Sequence, residues 1–313
     1  MISVCTLAHG RAGHLRNLVR SLRASRTRPG ELVIAVLQDD PYDLPDCDFP
    51  VRQIVAGQGG LALSAARNAA AWAARGDRLV FLDVDCMAHP ELLGDYAAAM
   101  DRSDAANGAD GLFMGEVGYL PRGAPVETLD FAALDAVAVR HSERPGPPEQ
   151  AVGPCRDYRC FWSLNFAMRA EAFRSVGGFD EGYVGYGGED TDFGRSCAAA
   201  GMDIWWVRGA KAYHQYHPHH MPPVHHLDSV LRNAEYFRRK WGEPTMQHWL
   251  RAFRLMGLAE PRETGWTRCR DTREEDLELT RQQAHHPYAS SASVLRQLEA
   301  DAAAAQPAVT AAG

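Results

Sequence analysis

The sequence predicts an α/β protein with a doubly wound, Rossmann-like mixed sheet, and three observations support this prediction. Short apolar runs alternate with helical patterns along the N-terminal part of the chain. Several of these runs are continuously apolar, as in strands that are buried on both faces of a parallel sheet. Acidic residues directly follow two of the runs, and ligands of doubly wound sheets bind beyond the carboxyl ends of the strands.

The first part of the chain alternates predicted strands and helices. Leu15, Leu18 and Leu22 recur at a helical spacing, and an alanine-rich stretch farther along also has a helical pattern. The runs SVCTLA, LVIAVL and LVFL are typical of buried strands. We therefore predict strands over 3–8, 32–37, 53–56 and 79–82, and helices over 15–24 and 63–74.

The second part is less regular but continues to alternate. Its proline- and glycine-rich segment 144–154 predicts a surface loop. From about residue 285 the composition is rich in alanine, serine and glutamine, which predicts a flexible tail. The predicted strands are 114–120, 160–168 and 204–207, and the predicted helices are 170–176, 190–200, 227–241 and 246–256.

Composition and charge exclude several classes of protein. The chain has 313 residues, 46% of them hydrophobic, so it can bury a large core in one large domain or two small ones. Its net charge of −7 argues against a nucleic-acid partner, whose phosphates require lysine and arginine. No apolar stretch is long enough for a transmembrane helix, and MISVCTLAHG lacks the pattern of a signal peptide.

The same features predict where the protein resides. Seven cysteines without a secretory signal indicate reduced thiols, so we expect a cytoplasmic protein and give low weight to a Cys155–Cys160 disulfide. Apolar residues between Leu250 and Leu258 could rest on the inner face of a membrane, although packing in a core is the commoner use of such a stripe.

Asp83 and Asp85 directly follow the run LVFL. In extended backbone they point to one side, where two carboxylates can hold one divalent cation with diphosphate oxygens as further ligands. Hard oxygen ligands suit Mg²⁺ or Mn²⁺. The alternative is a solvated strand end, because aspartate is common in turns. The position after a buried strand favours the metal interpretation.

Histidines in the segment KAYHQYHPHH could complete such a metal site. His214 and His217 have H-x-x-H spacing just after the last predicted strand, and an imidazole ligand would favour Mn²⁺ over Mg²⁺. A polar loop with exposed histidines is the alternative. A zinc site that uses Cys155, Cys160 and two of these histidines is a weaker one, because the C-x₄-C spacing is wider than in most structural zinc pairs.

The segment GYVGYGGEDTDFGRSC places three acids after a run of glycines. Glycine permits unusual backbone angles and close approach of a substrate. The acids Glu189, Asp190 and Asp192 then fall at the start of a predicted helix, where they could simply stabilise its N-terminus. One acid suffices for that purpose, so the three together favour a functional site. Asp192 is expected to point away from the other two.

Five segments in order make the chain resemble the family 2 glycosyltransferases, which have the GT-A fold. The resemblance covers roughly residues 3–217. The segment 177–195 also resembles the C-terminal motif of the β-1,4-galactosyltransferases, except that Tyr186 stands where a Trp is common. In order, the five segments are SVCTLAHGR, the Asp39-Asp40 pair, GLALSAARN, LVFLDVDC and VGGFDEGYVGYGGEDTDFGRSC, and a histidine follows the last strand.

The resemblance implies a role for each matching residue of the donor site. The first strand would line the nucleotide pocket, Asp39 or Asp40 would bind the base, and Arg67 would lie against the base or the diphosphate. Asp83 would hold the ribose or the sugar, and Asp85 the metal ion. The implied nucleotide-sugar-binding residues are Thr6, Ala8, Asp39, Asp40, Arg67 and Asp83, and the candidate metal ligands are Asp85, Asp83, His214 and His217.

On the acceptor side, the resemblance implies that Glu189 and Asp190 bind the acceptor hydroxyl and that one of them is the general base. We favour Asp190 as the base. Trp162 is a candidate for stacking on a sugar ring, because an indole face packs well on one. The candidate acceptor-binding residues are Trp162, Tyr186, Gly187 and Gly188.

These features predict a metal-dependent, inverting glycosyltransferase that uses a nucleoside-diphosphate sugar, with UDP as the expected nucleotide. We expect a catalytic domain over 1–220, divided into a nucleotide-sugar half (about 1–100) and an acceptor half (101–220), a helical extension over 221–284 and a flexible tail over 285–313. The acceptor could be a carbohydrate, a lipid-linked glycan or a small molecule. Two alternatives are a nucleotidyltransferase acting on sugar phosphates and a non-catalytic protein that binds sugar nucleotides or carbohydrates.

Overall fold

The computed structural model describes residues 1–56, 62–105, 111–263, 265–281 and 291–305. They divide into two compact units, which separate between His217 and Pro218. The boundary that the sequence predicts, at 220, is close to this division, while the functional halves of the first unit remain a prediction. The start of the GLALSAARN segment lies outside the described residues.

The first unit contains most of the predicted elements. Its strands are β1 (Ile2–Ala8), β2 (Glu31–Val36), β3 (Val51–Val55), β4 (Arg78–Leu82), β5 (Cys86–Ala88), β6 (Gly111–Met114), β7 (Val117–Tyr119), β8 (Val139–Arg140), β9 (Val152–Pro154), β10 (Asn165–Arg169), β11 (Asp203–Val207) and β12 (Ala212–His214). Its helices are α1 (Ala12–Arg23), α2 (Leu63–Ala73), α3 (Leu92–Ala105), α4 (Phe131–Val137), α5 (Ala170–Ser175) and α6 (Glu189–Ala199).

A central mixed sheet organises this unit, which confirms the predicted α/β class. Its strand order is β3-β2-β1-β4-β10-β6-β11-β9. β1 is parallel to β2 and β4, whereas β10 runs antiparallel to β4 and β6. The carboxyl ends of β4, β6 and β11 therefore meet the start of β10 at one edge of the sheet.

The apolar runs form the centre of this sheet, where strands are covered on both faces. Every residue of β1 and β2 is buried, as expected of strands covered on both faces. Helix α1 packs against this sheet through the predicted leucine face, since Leu15, Leu18 and Leu22 are fully buried.

A smaller sheet with the order β5-β12-β7-β8 lies beyond the carboxyl end of β4. Its strands β5 and β12 pair antiparallel, with His214 opposite Cys86. The sequence analysis does not predict either strand, because three-residue strands carry too little periodicity to be recognised.

Two predicted strands differ from the observed ones. The segment 114–120 is divided between β6 and β7, because the chain leaves the central sheet at Gly115, where a Cβ would lie 1.9 Å from the carbonyl oxygen of Ala210. The segment 160–168 begins with a 3₁₀ turn, Tyr158–Cys160, and becomes a strand only at Asn165.

The second unit consists mainly of helices. Leu250, Phe253 and Leu258 are buried, which supports the core interpretation of the apolar stripe over the membrane one. Among the described residues, no helix is both long enough and apolar enough to cross a membrane. The elements of this unit are α7 (Leu227–Trp241), α8 (Gln247–Leu255), β13 (Ala259–Arg262), β14 (Gly265–Arg268), α9 (Glu274–Thr280) and α10 (Ser291–Ala305).

Helix α10 occupies part of the segment for which the composition predicts a flexible tail. The indole Nε1 of Trp249 donates a hydrogen bond of 2.9 Å to the hydroxyl of Ser291, and Arg251 pairs with Glu299 at 2.8 Å. Val294 is buried. Alanine favours helix formation, and these contacts with α8 give the helix a packed face. The flexible tail over 285–313 remains a prediction.

Candidate active site

A carboxylate and two imidazoles converge beyond the carboxyl end of β4. One oxygen of Asp85 lies 3.5 Å from Nε2 of His214, and the other lies 3.4 Å from Nε2 of His217. Candidate ligand atoms of the three residues all lie within 4.8 Å of one another. The H-x-x-H histidines therefore meet the second aspartate of the D-x-D pair, as the sequence predicts.

Backbone pairing fixes this geometry. The β5–β12 pairing places His214 opposite Cys86, next to Asp85, and the N–H of Gln215 donates a 2.7 Å hydrogen bond to the carbonyl oxygen of Asp85. Asp85 and His214 are each 5% exposed, so their side chains are held by the surrounding fold. The strands β5 and β12, which the sequence does not predict, thus position Asp85 and His214, which it does predict as metal ligands.

The electrostatics of this group suit a divalent cation. Burial alone would raise the pKa of Asp85, but His214, His217 and Arg11 outweigh it and hold the pKa well below its usual range. Burial lowers the pKa of His214 to about 4, so its imidazole is neutral at pH 7 and can act as a ligand. A carboxylate oxygen together with imidazole nitrogens is a donor set that Mn²⁺ accepts.

Arg11 is a residue of this site that the sequence analysis does not assign. Its Nη1 donates a hydrogen bond to Asp85, and its Nη2 lies 3.4 Å from Nδ1 of His217. It precedes α1 with a left-handed backbone, φ 49°. The HGRAGH segment after the first strand was the available signal, since a cation there reaches the sheet edge where ligands bind.

Asp83 lies apart from this group among the described residues, although the sequence analysis includes it among the metal ligands. It accepts hydrogen bonds of 3.1 and 3.4 Å from Nη2 of Arg67. Because β4 ends at Leu82 and the chain turns there, Asp83 and Asp85 are not held in the extended geometry that would point both to one side. The pair therefore separates into an aspartate beside histidines and an aspartate beside an arginine.

Arg67 is buried at 6% exposure between Asp83 and Glu189. Its Nη1 has no hydrogen-bond partner among the described residues and lies 3.8 Å from Oε1 of Glu189. The single guanidinium of Arg67 is therefore the positive charge next to two carboxylates, those of Asp83 and Glu189. Burial is the main cause that raises the pKa of Asp83 to about 6 and of Glu189 to about 7, and the arginine only partly offsets it.

The glycine turn before α6 has the backbone that the sequence predicts. Gly185, Gly187 and Gly188 have φ of 81°, 97° and 93°, which side-chain-bearing residues rarely adopt. Gly188 is the N-cap of α6, and the carboxylate of Glu189 turns back to accept a 3.1 Å hydrogen bond from the N–H of Gly187. Glycine thus allows a buried carboxylate to sit at the start of the helix.

Asp190 faces the segment before β10. Its carboxylate accepts 2.7 and 3.2 Å hydrogen bonds from the hydroxyl and the N–H of Ser163. Asp192 points elsewhere, as predicted, and accepts a 3.0 Å hydrogen bond from Tyr183. Ser163 is not predicted as a site residue, because the sequence places it inside the predicted strand 160–168, whereas β10 begins only at Asn165.

Of the other residues implied for the donor site, two lie within β1 and two lie exposed after β2. Thr6 and Ala8 belong to β1; Ala8 is fully buried, and Thr6 lies with Arg67 and Asp83 along a narrow crevice that has no room for a water molecule. The Oγ1 of Thr6 has no hydrogen-bond partner among the described residues. Asp39 and Asp40 are exposed beyond β2, at the same edge of the sheet.

Aromatic rings connect the histidines of the site to Trp162. Tyr119 packs against His214 with ring centroids 5.0 Å apart and against His141 at 5.8 Å, and His141 packs edge-on against Trp162 at 4.9 Å. Tyr186 is partly buried, and burial with the nearby carboxylates raises its pKa. The ring contacts thus connect Trp162 to the metal group, and Tyr186 lies near the carboxylates Glu189 and Asp190.

The zinc alternative finds no support in the described part of the chain. The group of metal-ligating side chains found there consists of Asp85, His214 and His217, without a cysteine. Cys155 and Cys160 are free thiols, in agreement with the low weight given to a disulfide.

Two curated relatives are similar to much of this chain. They are the validoxylamine A glucosyltransferases of Streptomyces hygroscopicus subsp. limoneus and of S. hygroscopicus subsp. jinggangensis (strain 5008). Each is 24% identical in an alignment of 272 positions, which covers 77% of this chain and 56% and 61% of the two relatives. The chain thus spans about three fifths of the length of the curated relatives it matches.

Solved structures of S. aureus TarS 1-349 share the fold. The complex with UDP has a TM-score of 0.51 and 15% sequence identity, and the match covers 80% of this chain and 68% of TarS. The complex with UDP-GlcNAc has a TM-score of 0.50 and 14% identity, and the match covers 80% and 69%. At these identities the similarity is one of fold, and it confirms the predicted GT-A fold.

Two family profiles match the sequence. One, described as the N-terminal domain of galactosyltransferase, matches residues 149–220, which include the glycine turn and both histidines of the metal group. The other is glycosyl transferase family 2, and it matches residues 3–175, more than half of the chain. Together with the fold and the relatives, this match shows that the chain belongs to glycosyl transferase family 2.

Proposed function

We propose that this protein is a metal-dependent, inverting glycosyltransferase that moves a sugar from a nucleoside-diphosphate sugar to an acceptor hydroxyl. The main observation that supports this proposal is that the Asp85–His214–His217 group and the Asp190 carboxylate lie at one edge of the sheet. Sugar transfer requires stabilisation of a diphosphate leaving group and removal of a proton from the acceptor. These two groups supply the chemistry for the two requirements.

Asp85, His214 and His217 would hold the metal ion, and Mn²⁺ is the ion that their mixed oxygen and nitrogen donors favour. A bound divalent cation supplies Lewis-acid stabilisation of the departing diphosphate. Arg11 contacts Asp85 and His217, so its guanidinium is placed to contribute further positive charge beside the leaving group.

Asp190 is the proposed general base. Ser163 binds both oxygens of its carboxylate and so fixes its orientation, while leaving it partly exposed to an incoming hydroxyl. Glu189 is more deeply buried, and its raised pKa allows it to retain a proton near neutrality and to donate a hydrogen bond to the acceptor. Attack by the activated hydroxyl opposite the diphosphate inverts the anomeric centre without a covalent intermediate.

UDP is the proposed nucleotide, and UDP-glucose is the first donor to test. TarS has been crystallised with UDP and with UDP-GlcNAc, and the two relatives are named as glucosyltransferases. Asp39 or Asp40 would bind the uracil, and Thr6 and Ala8 would support the pocket from β1. Arg67 would act through Asp83, which would hold the ribose or the sugar.

The test measures UDP release and product stereochemistry with UDP-glucose, Mn²⁺ and a panel of acceptors. We expect UDP as the nucleotide product and an anomeric configuration opposite to that of the donor, seen by NMR. Asp190→Asn should lower the rate of transfer roughly 10²–10⁴-fold but retain UDP binding. The control Asp203→Asn, which changes an exposed aspartate at the opposite end of β11, should behave as wild type. Pyrophosphate release would favour a nucleotidyltransferase, and UDP binding without turnover of any nucleotide sugar would favour a binding protein.

A further inference from the structure

A second cleft opens in the first unit, beside the carboxyl ends of β6 and β11. Its open volume is about 650 Å³, including the part continuous with solvent. Gly115, Glu116, Trp206 and Lys211 line it, together with the proline-rich loop that begins at Arg144. Neither the donor site nor the metal group uses these residues.

Arg144 is the unusual feature of this cleft. It is 8% exposed, and its guanidinium carbon lies 4.7 Å from the ring centre of Trp162 and 4.8 Å from that of Trp206. Its Nη2 has no hydrogen-bond partner among the residues that the structure describes, although the Asp190 carboxylate attracts the guanidinium electrostatically. The indole faces stabilise the cation but cannot accept the hydrogen bonds that its Nη2 can donate.

Such an arrangement is costly unless a ligand completes it. Burial lowers the pKa of Arg144, which shows how poorly the interior solvates this charge. Arginine nevertheless stays protonated in proteins, so the charge persists. A buried cation without hydrogen-bond acceptors is normally paired, and an oxyanion would supply both the opposite charge and the acceptors.

The other charged residues of the cleft also favour an anion. Arg140 lines it, is exposed and forms no ion pair among the described residues. Lys211 is already paired with Asp135. The acid on the wall is Glu116, whose carboxylate lies 3.4 Å from the N–H of Gly209. Glu116 on the wall and Asp190, which attracts Arg144 electrostatically, face these two arginines. Among the described residues, the exposed Arg140 is thus the cation of the cleft that an anion can pair with directly.

The cleft lies next to the proposed acceptor side of the active site. Trp162, which stacks on Arg144, directly precedes Ser163, and Ser163 binds the proposed base Asp190. On its other side Trp162 contacts His141, which leads through Tyr119 to the metal group. A molecule that presents a hydroxyl to Asp190 is thus close to Arg144.

We propose that this cleft binds an anionic group of the acceptor, a carboxylate or a phosphate, through Arg144 and Arg140. This inference rests on the proposed function and names the chemical class of its acceptor. Arginine suits this role because its planar guanidinium binds both kinds of oxyanion through two parallel hydrogen bonds.

Calorimetric titration with three sugars tests the proposal: glucose 6-phosphate, glucuronate and glucose, at constant ionic strength, with and without UDP and Mn²⁺. Both anions should bind wild type more tightly than glucose, and the tighter of the two identifies phosphate or carboxylate as the preferred group. Arg144→Gln should weaken anion binding roughly ten- to a hundredfold, the value of a hydrogen bond to a charged group. Arg122→Gln, which removes an exposed arginine outside the cleft, should change nothing.

Because Arg144 is buried, its variant could fail to fold. Arg140→Glu then decides the matter, since it reverses an exposed charge and should abolish the preference for anions. The proposal is overturned if wild type does not prefer either anion to glucose, or if the variants at 140 and 144 bind both anions as Arg122→Gln does. The sugar titrations without UDP do not depend on the UDP-binding measurement. If the protein does not bind UDP but still prefers the anionic sugars, the proposed function is overturned and the anion cleft is not.

Discussion

Two carboxylate groups at the same sheet edge have opposite electrostatic surroundings. Asp85 lies among two imidazoles and Arg11, and its pKa is held well below the usual range. Asp83 and Glu189 share the single guanidinium of Arg67, and burial raises the pKa of both. The first group is thus arranged to keep a negative charge for a cation, whereas in the second group burial favours the neutral form, most strongly at Glu189.

The largest expected effect lies in the first group. Replacing Asp85 by Asn removes the charged ligand while preserving shape, so we expect turnover with Mn²⁺ to fall roughly 10²–10⁴-fold, the value of several kcal/mol of Lewis-acid stabilisation. Initial rates of UDP release over a Mn²⁺ titration measure it. His225→Ala is the matched control, because His225 lies five residues after the KAYHQYHPHH segment and outside the metal group. Equal rates for Asp85→Asn and wild type would remove Asp85 from the site.

The next effect separates Asp190 from Glu189. As general base, Asp190 should contribute about 10²–10⁴-fold to turnover, so Asp190→Asn should lower kcat by that factor while UDP affinity is unchanged. Glu189→Gln keeps the ability to donate a hydrogen bond and should lower kcat less. Steady-state kinetics of both variants test the assignment, and a larger loss for Glu189→Gln would reverse the two roles.

The raised pKa of Glu189 predicts a pH-dependent stability. Its pKa rises from 4.5 to about 7 on folding, so the folded state binds the proton more tightly than the unfolded state does. The resulting stabilisation is complete below about pH 4.5 and is lost as the pH rises through about 7. Between pH 5 and 8, metal-free wild type should therefore lose on the order of 1–3 kcal/mol in free energy of unfolding relative to Glu189→Gln.

Urea denaturation of both proteins across that pH range measures this difference. The exposed Glu171→Gln, on α5, is the control and should leave the difference from wild type constant with pH. Parallel profiles for wild type and Glu189→Gln would show that Glu189 is not held in its neutral form by the fold.

The smallest expected effect concerns the orientation of the base. Ser163→Ala removes the hydroxyl donor to Asp190 but leaves the N–H donor in place. A single hydrogen bond to a charged group is worth about 1.5–3 kcal/mol, so kcat should fall roughly ten- to a hundredfold at most. Ser163→Thr retains a hydroxyl and should recover part of the rate. No loss in Ser163→Ala would mean that Asp190 does not depend on this contact.

The sequence predicts the fold and the metal group well because their signals are local. Buried strands appear as apolar runs, and the D-x-D and H-x-x-H spacings identify Asp85, His214 and His217 as candidates. The separation of Asp83 from Asp85 is not predictable in this way, because it depends on Arg67 from α2 and on a turn immediately after β4.

The missed residues have non-local causes. Arg11, Ser163 and Arg144 acquire their surroundings from segments far away in sequence: Asp85, Asp190 and the two tryptophans respectively. Helix α10 is missed for a related reason, since its alanine-rich composition is also typical of disordered tails and only its packing on α8 distinguishes the two. Contacts between residues that are far apart in sequence cannot be read from the local sequence around either residue.

Direct Mn²⁺ binding tests the central claim, that Asp85, His214 and His217 form the metal site. Electron paramagnetic resonance of free Mn²⁺ would be recorded while wild type, Asp85→Asn, His214→Ala and His225→Ala are titrated in the presence of UDP. The proposed site predicts one bound Mn²⁺ per chain in wild type and His225→Ala, and much weaker binding in the other two variants. Undiminished binding in both Asp85→Asn and His214→Ala would contradict it.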